Sequence, residues 1–194
     1  MQEMQIILMN KRLEQNNYLL IDNFISPERA SELFNSYKGQ VEQHPQLFDK
    51  DNQCPLSYAM YNFRDFLNLL CEKLPTISEL MEENMLPSYT YARLYTYGDE
   101  LKKHTDRPSC EISLTVHLGG DTPWDIWMTK PNGEQVAINL KPGQAIMYIG
   151  TISEHWRDKF TGQEYIQVFL HYVRGTGEHW EHFGDRISSG MHNE

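Results

Sequence analysis

Three side chains in this sequence have the types and spacing to share one metal ion. His104-Thr105-Asp106 is a His-x-Asp pair, and His155 lies far downstream of it. Two imidazoles and one carboxylate make a 2-His-1-carboxylate facial triad, which fills one face of an iron(II) octahedron and leaves the other positions open; the same donors also suit manganese or zinc. Residues that flank one intervening residue point the same way in extended chain, so His104 and Asp106 can reach one ion. The third ligand must arrive from elsewhere, and among eight histidines His171, His179 and His182 compete with His155 for that place. His179-x-x-His182 sits in a polar stretch with Gly175, Gly177 and Gly184. His155 follows the apolar run Ala145 to Ile149, introduced by Lys141-Pro142-Gly143-Gln144, and this position favours it.

Ligands from separate stretches need strands to deliver them. Tyr89, Tyr91, Arg93, Tyr95 and Tyr97 alternate with Thr90, Ala92, Leu94 and Thr96, which predicts a strand with two distinct faces. Ile112 to Leu118, Asp125 to Met128, Gln135 to Leu140, Gln144 to Ile149 and Tyr165 to Val173 read as further strands, with turns at Pro131-Asn132-Gly133 and Pro142-Gly143. Before them comes a short strand, Tyr18 to Ile21. Ser26-Pro27-Glu28 then opens a helix with a capping serine, a first-turn proline and an acid near the positive end. Residues 39–57, polar and proline-containing, read as loop. Phe63, Phe66, Leu67, Leu70 and Cys71 predict a second helix, and Thr76-x-x-Glu79 a capping box that opens a third. Helices followed by a run of short strands predict a β-sandwich or jelly roll with a helical layer on one side, mainly β in an α+β class. The expected organisation is a single domain over 1–194: an N-terminal strand and supporting helices at 1–87, a jelly-roll core at 88–174 and a C-terminal tail at 175–194.

Composition narrows the partners. A 194-residue chain that is 40% hydrophobic and 12% aromatic can bury a proper core. A formal charge of −10 argues against a nucleic-acid partner, which requires clustered Lys and Arg. Cys54, Cys71 and Cys110 are odd in number and lack a Cys-x-x-Cys motif, so packing thiols are expected rather than disulfides or a zinc ribbon. Met1 to Asn10 carries too short an apolar run for a signal peptide, and no stretch approaches the ~20 apolar residues of a membrane span, so a cytoplasmic protein is expected.

The segment Leu94-Tyr95-Thr96-Tyr97-Gly98-Asp99-Glu100-Leu101-Lys102-Lys103-His104-Thr105-Asp106, the turn and strand from Leu140 to Tyr148, and His155 followed by Tyr165 to Tyr172 resemble, in that order and spacing, the 2-oxoglutarate/Fe(II) dioxygenases of the prolyl 4-hydroxylase-like superfamily. The resemblance runs from about Asp22 to about Val173. It implies a double-stranded β-helix, that is, a jelly roll with the metal at its open end. It also implies Fe(II) on His104, Asp106 and His155, with 2-oxoglutarate and O2 as cosubstrates and ascorbate as an accompanying reductant. The implied reaction hydroxylates a C–H bond of a peptidyl or small-molecule substrate and releases succinate and CO2.

One departure stands out. The family places Lys or Arg about ten residues after the distal histidine, against the far carboxylate of 2-oxoglutarate. Here that neighbourhood holds Glu164, Tyr165 and Gln167. A buried carboxylate needs a donor, and Arg157, two residues after His155, is the first choice, with Arg93 and Arg107 in reserve. Tyr95 resembles the family tyrosine that hydrogen-bonds 2-oxoglutarate; His117 and Gln167 are further candidate contacts. Trp124, Trp127 and Trp156 are candidates for the substrate cleft or the core. Two other readings stay open: a jelly-roll metal-binding module without turnover, and a cupin-like metalloenzyme that does not use 2-oxoglutarate.

Overall fold

A computed structural model describes residues 11–186; the segment Met1 to Asn10 and the last eight residues of the expected tail lie outside the described residues. Two antiparallel sheets pack face to face as a jelly roll, with helices on one side. Strands β1 (Tyr18–Ile21), β2 (Tyr58–Tyr61), β3 (Met85–Tyr95), β5 (Ile112–Gly120), β8 (Ala145–Ile149) and β10 (Tyr165–Arg174) form the major sheet in the order β1-β8-β5-β10-β3-β2. Strands β4 (Leu101–His104), β6 (Ile126–Thr129), β7 (Gln135–Ile138) and β9 (His155–Arg157) form the minor sheet in the order β4-β9-β6-β7. Both edge strands of the major sheet, β1 and β2, come from the N-terminal segment.

The two faces of the major sheet follow from strand alternation. One face carries Ala92, Leu94, Leu114, Val116, Met147, Val168 and Leu170, buried against helices α1 (Pro27–Gln43) and α2 (Arg64–Met81). The other carries Tyr89, Tyr91, Arg93 and Tyr95 on β3, Ser113, Thr115 and His117 on β5, Tyr148 on β8, and Gln167, Phe169 and His171 on β10. It looks into the space between the sheets. The helical layer therefore takes the apolar face, and polar chemistry is left inside the sandwich.

Helix α1 starts as its sequence predicts: Ser26 Oγ accepts from the Arg29 N–H at 3.2 Å and Pro27 occupies the first turn. It runs further than expected, to Gln43, because Val41 continues the buried stripe of Ala30, Leu33 and Tyr37. The remainder of the expected 39–57 loop contains a 3-10 turn at Pro45–Leu47. The two helices expected around residues 63–79 are one continuous helix through Pro75. An interior proline costs about 3 kcal/mol, but Leu69, Leu70, Ile77 and Leu80 are buried on both sides of it, and that burial holds the helix together. The three cysteines are free, and no helix among the described residues is long and apolar enough to cross a membrane.

The turn before β8 locks helix α1 to the sheet. Gly143 has φ +88° and accepts from the Ile25 N–H at 3.1 Å while donating to the His117 carbonyl at 2.9 Å. A Cβ there would meet the Ile25 oxygen at 2.5 Å. Gly143→Ala is therefore expected to cost about 1–3 kcal/mol of stability, measured by urea denaturation; an unchanged midpoint would mean the turn relaxes without loss.

Candidate metal centre and cavity

His104 ends β4 and His155 begins β9, and the two are register partners across the minor sheet, with ring centroids 4.3 Å apart. Asp106 lies two residues beyond β4, where its N–H bonds the Gly150 carbonyl at 2.8 Å. Its Oδ1 sits 3.6 Å from His104 Nε2 and 3.7 Å from His155 Nε2. Ligand atoms of all three residues lie within 4.8 Å of one another. His104 Nδ1 is 2.8 Å from the Lys102 carbonyl and His155 Nδ1 2.9 Å from the Ser153 carbonyl. A carbonyl only accepts, so each Nδ1 carries a proton, and in the neutral imidazole it is Nε2, the nitrogen facing Asp106, that is free to bind. This is the tautomer a metal ligand needs.

Burial opposes charge on each member of the triad, and the outcomes differ. At His104, burial is outweighed by the hydrogen bond to Asp106 and the Lys102 carbonyl, and its pKa lies above the usual 6.5. At Asp106, burial is outweighed by His104, His155, His171 and Ser113, and the carboxyl sits below its ordinary range. At His155, 3% exposed, burial wins and the imidazole is held neutral.

A cavity of about 600 Å³ opens beside the triad. Tyr61, Tyr89, Tyr91, Phe169 and His171 form one wall, with neighbouring ring centroids 4.5–6.4 Å apart. Residues 49–53 form another. They are placed by a bridge in which Asp49 exchanges two backbone hydrogen bonds with Ala59 on β2. Arg93 and Arg107 line the cavity, and each faces an acid. Arg93 pairs with Asp51, donates to Gln53 Oε1 at 2.8 Å and lies over the Tyr91 ring. Arg107 is 3.2 Å from Asp185 and donates to Tyr89 Oη at 3.3 Å.

Arg157 is different. It is 1% exposed and lies behind the cavity. Its register partner Leu101 reaches the cavity lining, whereas Arg157 does not. It donates to the Trp124 carbonyl at 2.6 Å and to Gln167 Oε1 at 3.3 Å, between the Trp124 and Tyr165 rings. Every one of these partners is neutral, and none of the ion pairs among the described residues includes Arg157. The buried Tyr165 hydroxyl beside it has no hydrogen-bond partner. Gln167 also donates to Thr115 Oγ1 at 2.7 Å. His117 stacks on Tyr165 at 4.1 Å, with its pKa pushed down to about 3 by burial and then by Arg157. Tyr95 is fully buried, its pKa raised to about 12 by burial, and it packs edge-on against Trp124. Trp127 and Trp156 stack on each other at 5.8 Å and, like Trp124, do not line the cavity. His179 and His182 are near neighbours in the tail, away from the triad.

Several contributors carry no sequence signal of their own. Ser113 donates to Asp106 Oδ2 at 2.9 Å, and Tyr148 Oη comes within 3.4 Å of His155 Nε2. Gly150 passes so close that a Cβ would meet the Cys110 oxygen at 2.1 Å and Asp106 Oδ2 at 2.8 Å. Strand alternation points Ser113 and Tyr148 inward, but their residue types announce nothing.

No family model and no curated protein sequence matches the chain. Solved structures do. A prolyl-4-hydroxylase from Pseudomonas putida aligns with TM-score 0.69 at 11% identity, covering 87% of this chain and 98% of its own. A prolyl hydroxylase from Trichoplax adhaerens, solved with a peptide fragment of hypoxia inducible factor, aligns with TM-score 0.72 at 12% identity, covering 100% and 94%. HygX from Streptomyces hygroscopicus, solved with nickel and 2-oxoglutarate, aligns with TM-score 0.68 at 10% identity, covering 87% of each chain. The likeness is one of fold: this chain has the double-stranded β-helix of the 2-oxoglutarate/Fe(II) oxygenases.

A metal binds neutral imidazole, whereas Asp106 and the Lys102 carbonyl raise the His104 pKa and so favour its protonated form. If these residues hold a metal, its affinity is therefore expected to fall as the pH drops through that raised pKa, by up to about tenfold per pH unit for one proton displaced, and to level off above it. Ni(II) titrations between about pH 6 and 8 measure this; a flat profile would show that His104 is already neutral.

Proposed function

We propose that this chain is an Fe(II)- and 2-oxoglutarate-dependent oxygenase that hydroxylates a C–H bond of a small molecule or a peptide residue, with residues 88–174 as its working core. The observation that carries the reading is the convergence of His104 Nε2, Asp106 Oδ1 and His155 Nε2 at the mouth of this fold. The donor set fits iron(II): two imidazoles whose Nδ1 is tied to a carbonyl, so that loss of a proton leaves Nε2 to bind, and one carboxylate. Iron bound there, with O2 and 2-oxoglutarate, supplies the oxidising chemistry that couples release of succinate and CO2 to hydroxylation. Ascorbate would serve as an external reductant.

The chain's own residues do the rest. His104, Asp106 and His155 hold the ion. Arg157 takes the far carboxylate of 2-oxoglutarate, because a guanidinium buried among neutral groups is short of an anion. Arg157 and His155 are same-face neighbours on β9, so their separation is close to two residues of strand, about 6.6 Å, comparable to the length of a five-carbon diacid. The unpartnered Tyr165 hydroxyl, with Tyr95 and Gln167, surrounds that carboxylate. His117 buttresses the site by stacking on Tyr165. Arg93 and Arg107, each already facing an aspartate, serve the substrate side of the cavity. The tyrosine wall and residues 49–53 shut bulk water from the reacting bond.

Anaerobic Fe(II) followed by 2-oxoglutarate is expected to produce a weak visible charge-transfer band, absent in His155→Ala; no band despite bound iron would overturn the assignment. Arg157→Ala is expected to weaken 2-oxoglutarate binding by about 2–5 kcal/mol while leaving iron binding intact. An unchanged cosubstrate affinity would move the role to Arg93 or Arg107.

A further inference from the structure

Behind Asp106, three adjacent strands of the major sheet set a polar row in register. His171 on β10 pairs with Ser113 on β5, and Ser113 pairs with Tyr148 on β8. Ser113 Oγ lies 2.9 Å from Asp106 Oδ2, 3.0 Å from the Cys110 carbonyl and 2.9 Å from His171 Nδ1. A hydroxyl has one proton to give. The carboxylate and the carbonyl can only accept, and the charged acceptor makes the stronger bond. Ser113 therefore donates to Asp106, and His171 Nδ1 must carry a proton and donate to Ser113. Without that donation the hydroxyl would face three acceptors and could rotate among them.

We propose that His171 is a positioning residue for the metal centre: its Nδ1–H fixes the Ser113 hydroxyl, which holds Asp106 Oδ2 and so keeps Asp106 a one-oxygen ligand with Oδ1 toward His104 and His155. The inference rests on the metal reading above. Ring contacts hold the imidazole in place, with Tyr89 at 4.5 Å and Phe169 stacked at 6.4 Å. Burial keeps it neutral, with a pKa pushed down to about 4. Cys110 also lies close enough to group with Asp106 and His171. Its thiol is raised to about 12, chiefly by burial, and is bonded to Tyr89 Oη at 2.9 Å, so this second cluster supports the first rather than holding an ion of its own.

The test is an anaerobic titration of the metal-free full chain with Co(II), read by affinity and by the ligand-field bands. His171→Asn places a side-chain N–H near the Nδ1 position; His171→Phe keeps a ring between Tyr89 and Phe169 but has no donor. The Asn variant is expected to bind Co(II) like the parent. The Phe variant is expected to bind about 10- to 100-fold more weakly, with altered bands and an unchanged melting temperature of the metal-free protein. Should the Phe variant not fold, Ser113→Ala is expected to show the same loss. Parental affinity and bands in His171→Phe or Ser113→Ala, or an Asn variant as weak as Phe, would overturn the relay. His104→Ala separates the two failures: undiminished Co(II) binding there overturns the metal reading itself, and the relay with it.

Discussion

The Asp106 carboxylate engages both sheets at once. One oxygen faces two imidazoles of the minor sheet, and the other accepts from Ser113 of the major sheet. Its backbone N–H is tied to Gly150, just past β8. A buried carboxylate is tolerated only where its charge is met by donors, so this single group sets the approach of β4, β5, β8 and β9 at the open end of the sandwich. The apolar face of the major sheet, closed off by α1 and α2, provides the burial that makes such an arrangement stable.

The same accounting separates the three arginines. Arg93 and Arg107 each have an aspartate within ion-pair distance, so their charge is largely met inside the protein. Arg157 has a carbonyl, an amide and two ring faces. Burying an unmet cation is among the costlier things a fold can do, and this one lies on the same strand and face as His155, which is why the proposed reading assigns it the anion.

The triad was legible because its chemistry sits at a spacing that strand geometry converts directly into convergence: His104 and Asp106 flank one residue, and His155 begins a strand that pairs with β4. Arg157 was singled out from its place two residues after His155, and the structure puts it on the same strand as that histidine, buried among neutral groups. Local spacing says nothing about partners brought by distant pairing. The wall formed by residues 49–53 exists because Asp49 bridges to Ala59 on β2, and β2 was not apparent as a strand. Ser113 is one of several serines in the chain and acquires its role only from the strands on either side. Thr76-x-x-Glu79 misled in the opposite direction: read locally it opens a third helix, but Leu69 and Leu70 before Pro75 and Ile77 and Leu80 after it are buried together and keep one helix running through.

The order of strands in the major sheet has a consequence for how the molecule is made. Its central strand, β10, is the last one synthesised among the described strands, and it pairs with both β3 and β5. A chain still emerging from the ribosome short of β10 has β2-β3 and β1-β8-β5 as two fragments with nothing between them, each exposing an unpaired inner edge. Such edges invite wrong pairings, and contacts so distant in sequence form slowly. Folding of this sheet is therefore completed only after β10 has left the ribosome tunnel, and the nascent chain must be kept from aggregating until the strand that carries Gln167 and His171 arrives.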